Sequence, residues 1–244
     1  MKRLLYLAYA AIAYVLALVN IAYIIGFLTD FGVTKGISDG EPTPVWIAVL
    51  VDTCLILMFG LHHSVSARTS FKQWWMKIIP APIERATYLY MTAIMTTVLV
   101  VFWRPVPYLI WDVQAVWLIV SIYTVFFATS TMMLCATLQF GHFSFFGLAQ
   151  AWQNYKNTLT GSSGMTARYL YAIVRHPISL GWMVLPLISP TLTAGHLVFS
   201  FASIAYIILA TPYEEADLIE ELGEDYLTYR SRVPAFLPFL KPKH

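Results

Sequence analysis

The chain is patterned as long apolar runs separated by short polar breaks. Apolar stretches cover about 4–28, 45–61, 84–103, 114–140, 178–189 and 194–213. A membrane-crossing helix needs roughly 20 apolar residues, so every run except 178–189 has spanning length. That run is expected either to extend backward through 168–174, with Pro177 as a kink, or to dip only part-way into the bilayer. Ser189-Pro190-Thr191 reads as a tight turn, which makes 178–189 and 194–213 antiparallel neighbours. The pattern predicts an all-α, polytopic membrane bundle of five to six spans, with interfacial and C-terminal cytosolic helices added. With no internal repeat, it reads as a single domain over 1–244.

Two polar regions carry a helical period of their own. Phe71, Trp74, Trp75 and Ile78 recur at i, i+3, i+4 and i+7 beside Lys72 and Lys77, which suits an interfacial helix lying flat on the membrane. Near the C-terminus, Glu215, Leu218, Ile219, Leu222, Tyr226 and Tyr229 form one stripe, and Glu214, Asp217, Glu221 and Glu224 the opposite face. The second set is an ordinary solvated face. Glu215 is not, because a carboxylate on an apolar stripe needs a partner. Gly161-Ser162-Ser163-Gly164 reads as a lid hinge or as a plain flexible loop.

Composition places the chain in the membrane class. Of 244 residues, 59% are hydrophobic and 11% charged, against about 25% charged in soluble domains. A net charge of +2 with no Lys/Arg block argues against a nucleic-acid partner. Cys54 and Cys135 fall inside apolar runs and read as small buried hydrophobes. Met1-Lys2-Arg3 and the run behind it mimic a signal peptide. The run is far longer than a signal's apolar core and lacks a small-x-small cleavage site, so it reads as a retained first span.

Charge also orients the chain. With six crossings and a cytoplasmic N-terminus, thirteen of the fifteen Lys and Arg residues fall on the inner side, leaving Lys35 and Arg104 outside. That is a strong positive-inside bias. Both termini, Arg175 and the Glu214-Glu215 pair are then cytoplasmic.

Charge at the edge of an apolar segment is a functional candidate by default. The candidates are His62-His63, His142, Arg175-His176-Pro177 and Glu214-Glu215, with Asp52 as an intramembrane acid suited to a structural hydrogen bond. Metal chemistry fits poorly. Membrane di-iron enzymes need many histidines at i, i+3 or i+4, whereas these six are scattered and adjacent His62 and His63 point about 100° apart.

The ordered blocks resemble a known family. Arg175-His176-Pro177-Ile178-Ser179-Leu180-Gly181-Trp182, Glu214-Glu215-Ala216-Asp217-Leu218, Leu222-Gly223, Tyr226, Tyr229, Val233-Pro234 and Pro238 look like the C-terminal core of the isoprenylcysteine carboxyl methyltransferase superfamily. Gly60-Leu61-His62-His63-Ser64, Phe71-Lys72-Gln73-Trp74-Trp75, Pro80-Ala81-Pro82-Ile83-Glu84-Arg85, Trp103-Arg104-Pro105, Gly141-His142-Phe143 and Phe146-Gly147-Leu148 are similar to its nurim-like branch, and within it to bacterial enzymes that methylate a small thiol. The likeness covers about 45–240. It departs from the family at Ile178-Ser179, where an aromatic is expected, and at Ala216, where arginine is common. Thr211-Pro212-Tyr213 also lacks the arginine that would suit a carboxylate acceptor, which favours a neutral thiol.

The resemblance implies S-adenosylmethionine bound in a core over 141–244, with Arg175, His176, Pro177, Glu214, Glu215, Tyr226 and Arg230 as its contacts and 1–44 as an N-terminal span and loop. It implies a small thiol as acceptor, methanethiol giving dimethyl sulfide, in a lipid-embedded protein of the bacterial inner membrane. A larger acceptor, an isoprenylcysteine or a lipid, and a non-enzymatic nurim-like role stay open. By charge, Arg175 suits the methionine carboxylate and Glu215 the ammonium or ribose hydroxyls, unless Glu215 is spent on an internal ion pair with Arg175 or Arg230. A thiol must lose its proton to react, and His142, His62 or His63 can take it near neutral pH. Each of these histidines could equally cap a helix end at the membrane interface.

Overall fold

The computed structural model describes residues 1–158 and 167–240. The Gly161–Gly164 stretch, Lys241 and Lys243 lie outside them. The elements are α1 (Lys2–Thr29), α2 (Val45–Ala67), α3 (Thr69–Trp75), α4 (Glu84–Phe102), β1 (Leu109–Asp112), α5 (Val116–Phe140), α6 (His142–Phe145), α7 (Leu148–Lys156), α8 (Leu170–Ile173), α9 (Pro177–Val184), β2 (Thr191–Thr193), α10 (Ala194–Leu222) and α11 (Glu224–Arg232). Among the described residues, α1, α2, α4 with the short turn before it, α5 and α10 are long and apolar enough to cross a membrane. The protein is an integral membrane helical bundle.

The chain folds as two compact units. The first comprises Met1–Val106 and Gly141–Ser162. In it α1 packs on α4 and α7, and α4 on α2. Ala10, Ala13 and Ala17 put small side chains on one stripe of α1, buried against Ala86, Tyr88, Leu89, Phe146 and Ala151. In lipid no hydrophobic force drives helices together, so small residues that permit close approach supply the packing. Asp52 is fully buried, and its Oδ1 accepts the backbone N–H of Arg104 at 2.8 Å, the structural bond its position suggested. Lys35, read with Arg104 as facing outward, donates to the carbonyls of Val101 and Trp103 at the end of α4. The rings of Phe71, Trp74 and Trp75 touch one another on α3, none of whose residues is buried.

The second unit comprises Pro107–Phe140 and Ser163–His244. Its α9 packs on α5 and α10. The short fifth segment does not extend backward as one helix. Val174 is extended (φ −141°, ψ 149°), and Pro177 begins α9 rather than kinking a longer helix. The segment still runs the length of α10, because His176 contacts Glu215 and Thr193 caps Ala194. At 1.5 Å per residue, α10 rises roughly 32 Å between those positions. Pro177–Leu187 supplies about half of that as helix and extended chain the rest. Ser189-Pro190-Thr191 is therefore not a simple turn but leads into β2. Extended backbone at this depth needs partners, and β2 finds them by antiparallel pairing with β1, Leu109 opposite Thr193 and Asp112 opposite Thr191. Trp111 Nε1 also donates to Ser189 O at 2.9 Å.

The C-terminal elements depart from the expected boundaries as well. Glu214 and Glu215 do not open a separate helix. They ride on α10, which continues through Pro212 to Leu222. The expected stripe breaks at Gly223, whose φ of +60° ends α10 and starts α11. It reassembles in space, since Glu215, Tyr226 and Tyr229 are all buried.

Candidate functional site

Two backbone devices bring Arg175 and His176 to Glu215. The tail after α11 runs alongside them, with the Arg175 N–H donating to Pro234 O (2.9 Å) and the His176 N–H to Ala235 O (3.1 Å). His176 then caps α9, its carbonyl accepting the Leu180 N–H at 2.9 Å. Pro177 at the first helical position is well placed, because that N–H has no intrahelical partner to lose.

The side chains converge on one carboxylate. Glu215 Oε1 accepts Arg175 Nε at 2.8 Å, lies 2.7 Å from Arg175 Nη2, and is 3.0 Å from His176 Nε2. Glu215 Oε2 is 3.2 Å from Arg230 Nε. The third Arg175 nitrogen, Nη1, donates to the carbonyls of Arg230 and Val233. The Phe236 ring lies 5.7 Å from the His176 ring. A charge pair this deep is tolerated only when its remaining donors and acceptors are also satisfied, and here the tail carbonyls meet that demand.

Not every member is enclosed. The Glu215 and His176 side chains are 5% and 6% exposed, whereas Glu214 and Arg230 are 53% and 47% exposed. Glu214 Oε2 stands 3.8 Å from His176 Nδ1. Among the described residues, the buried Tyr226 hydroxyl has no hydrogen-bond partner. Burial, reinforced by the Glu215 carboxylate, pushes its phenol above the usual range. Tyr229 donates to the Tyr171 carbonyl at 2.6 Å, tying α11 to α8. The cluster thus has a fixed inner frame (Arg175, His176, Glu215) and an outward rim (Glu214, Arg230). On the other side of α8, Tyr169, Leu170 and Ile173 line an open, mainly apolar groove of about 490 Å³ with Ala128, Thr131, Met132, Cys135 and Gln139 of α5.

The three candidate histidines belong to the first unit. His142 opens α6 after Gly141 (φ +93°), and its Nε2 is 2.9 Å from the Tyr14 hydroxyl of α1. His63 Nδ1 lies 2.8 Å from the Tyr88 hydroxyl, and the Arg85 guanidinium sits 4.8 Å over the Tyr88 ring. Arg85 Nε in turn donates to Phe145 O at 2.9 Å, which ties α4 to α6. Among the described residues, both ring nitrogens of His62 are buried without a hydrogen-bond partner. Among the described residues, no group of three or more His, Cys, Asp or Glu is arranged to hold a metal.

Comparison with known proteins decides the family. Methanethiol S-methyltransferase 2 of Bradyrhizobium diazoefficiens is 37% identical over 240 residues, spanning 98% of this chain and 92% of that protein. Methanethiol S-methyltransferase of Mycobacterium tuberculosis is 37% identical over 239 residues, 98% of each chain. The chain belongs to the methanethiol S-methyltransferase family. A weaker similarity to Nurim of Danio rerio, 25% identical over 180 residues (70% of this chain, 64% of that protein), supports the nurim-like branch. No family model and no solved structure matches the chain.

Sequence reasoning missed partners of the candidate residues in each unit. The partners Tyr14 and Tyr171 carry no local signal, because each is an aromatic among apolar neighbours. The framing role of Val233, Pro234 and Ala235 is carried by backbone carbonyls, which side-chain chemistry does not reveal.

Proposed function

We propose that this protein methylates a small thiol with S-adenosylmethionine, methanethiol to dimethyl sulfide being the leading reaction. The observation carrying this reading is the Arg175–His176–Glu215 frame with its open rim, in a chain whose relatives are named methanethiol S-methyltransferases. The donor set suits the cofactor. It offers cations for a carboxylate, carboxylates for an ammonium, and the buried Tyr226 hydroxyl, which lacks a partner among the described residues.

When bound, S-adenosylmethionine would supply an electrophilic methyl group on its sulfonium, which a thiolate would take as S-adenosylhomocysteine leaves with the electron pair of the broken carbon–sulfur bond. Glu215 and Arg175 spend most of their hydrogen-bonding capacity on each other, His176 and the tail. The ligand-facing roles therefore fall to Arg230 for the carboxylate, Glu214 for the ammonium, and Tyr226 for a further polar contact. His176 and Pro177 shape the wall between them. The protein's remaining work is to orient the reactants, exclude water and accept the thiol's proton. His142, His62 and His63 are the candidates for that proton.

The positive-inside bias supports a cytoplasmic site and termini in a bacterial inner membrane.

Titration of the purified full chain with S-adenosylhomocysteine tests the cofactor assignment. Saturable binding that weakens in Arg230→Ala and Tyr226→Phe supports it. No binding by the unsubstituted protein overturns it.

A further inference from the structure

The connection between α2 and α4, residues 68–83, takes no part in the cofactor frame, yet it presents a large apolar surface. Trp74, Met76 and Ile78 are 51%, 44% and 61% exposed, and Phe71 and Trp75 are only half-buried. Apolar side chains gathered on an open face mark a surface that something covers.

Topology says what covers this one. The spans α2 and α4 pack on one another, so the chain leaves and re-enters the bilayer at a single face. Arg68 turns it out of α2 with extended backbone (φ −64°, ψ 142°), and its Nε donates to Ser64 O at 3.1 Å. Pro80 (φ −57°, ψ 133°) and Pro82 turn it back toward α4. A helix of seven residues between two such turns stays at the membrane surface. Tryptophan suits that level, with an apolar ring for the acyl chains and an N–H for the headgroups.

Charge says which lipid. Between Asp52 and Glu84 the chain has three cations, Arg68, Lys72 and Lys77, and no carboxylate. Lys77 is exposed beside Ile78, and its backbone N–H donates to Trp74 O at 3.1 Å, which sets it one turn from that ring. A lysine so placed lays its apolar stem along the rings and holds its ammonium at the headgroups. A link of one sign of charge is attracted by an anionic leaflet and not by a zwitterionic one.

We propose that α3 and Lys77 form a surface site for anionic phospholipid, with Trp74 and Ile78 at the boundary of headgroup and acyl chain and the Lys77 ammonium on the lipid phosphate. The site belongs to the first unit alone and does not depend on how methyl transfer proceeds.

The full-length protein in nanodiscs of mixed phosphatidylcholine and phosphatidylglycerol tests this. One lipid at a time carries bromine near the top of its acyl chains, and the difference in fluorescence from Trp74→Phe isolates the Trp74 signal. Trp74 is expected to be quenched, and more strongly by brominated phosphatidylglycerol than by brominated phosphatidylcholine at equal mole fraction. Lys77→Gln is expected to lose most of that preference and Lys77→Arg to keep it. Salt near 1 M, which cuts the screening length to about 3 Å, is expected to remove the preference in the protein carrying Lys77, an arm that needs no change to the lysine. Absence of Trp74 quenching by either lipid takes α3 off the bilayer and overturns the proposal. Equal quenching by the two lipids, or a preference unaltered by Lys77→Gln or by salt, overturns it as well.

Discussion

Arg175 reaches Glu215 with two nitrogens on a single oxygen, Nε at 2.8 Å and Nη2 at 2.7 Å from Oε1. The same oxygen takes His176 Nε2 at 3.0 Å. One carboxylate thus closes a knot joining the turn before α9, the end of α10 and, through Arg230, α11. Removing it strands buried positive charge. Glu215→Ala is expected to destabilise the protein by about 3–5 kcal/mol, and Glu215→Gln by less because an acceptor oxygen remains. Thermal unfolding in detergent checks the order. Equal stability of all three proteins would mean the knot does not hold the fold.

Tyr226 separates binding from stability. Its hydroxyl is buried and lacks a hydrogen-bond partner among the described residues, an arrangement that costs roughly 1–3 kcal/mol. Tyr226→Phe should therefore leave the melting temperature equal or slightly higher while weakening S-adenosylhomocysteine binding. A variant that melts lower and binds normally would reverse the assignment.

Alkaline pH should loosen the α8–α11 contact. Burial pushes the Tyr171 phenol up to about 12, with the Glu214 carboxylate adding to it. Burial likewise pushes Tyr229 to about 12, against the opposing Arg175 charge. An unfolded tyrosine ionises near 10, so between about pH 10 and 12 the unfolded chain sheds these protons first. The contribution is intact below pH 10 and lost as pH rises through 12. Tyr229→Phe should flatten that alkaline fall, measured as melting temperature against pH. An unaltered slope would contradict the burial of Tyr229.

Gly147 is irreplaceable on two counts. Its φ is +79°, and an added Cβ would stand 2.9 Å from Arg85 Cβ and 3.1 Å from the Ala86 nitrogen. Side chains adopt such a backbone at a cost of about 1–3 kcal/mol. Gly147→Ala should shift α6, and with it His142, lowering activity more than S-adenosylhomocysteine binding. Retained full activity would show that α6 is not held by this turn.

The spans were legible because the bilayer demands roughly 20 apolar residues, and the runs near Val45, Glu84 and Ala194 begin where their helices do. The Arg175–Glu215 meeting was also foreseeable, since a carboxylate on an apolar stripe requires a partner. The charges at Glu214 and Glu215 misled the reading of α10, because they look like the end of an apolar span, yet the helix continues to Leu222 before Gly223. The extended passage after Leu187 was hidden because its stability comes from pairing β2 with β1, about 80 residues away in sequence. The tyrosine partners of His63 and His142 were invisible for the same reason, being set by helix packing rather than by spacing.

The central claim is methyl transfer to a small thiol, and headspace gas above the protein tests it most directly. Membranes carrying the protein, supplied with methanethiol and S-adenosylmethionine labelled in its methyl group, should release dimethyl sulfide carrying that label. Membranes with Arg230→Ala should release far less. Absence of labelled dimethyl sulfide from a folded preparation that binds S-adenosylhomocysteine would contradict the account.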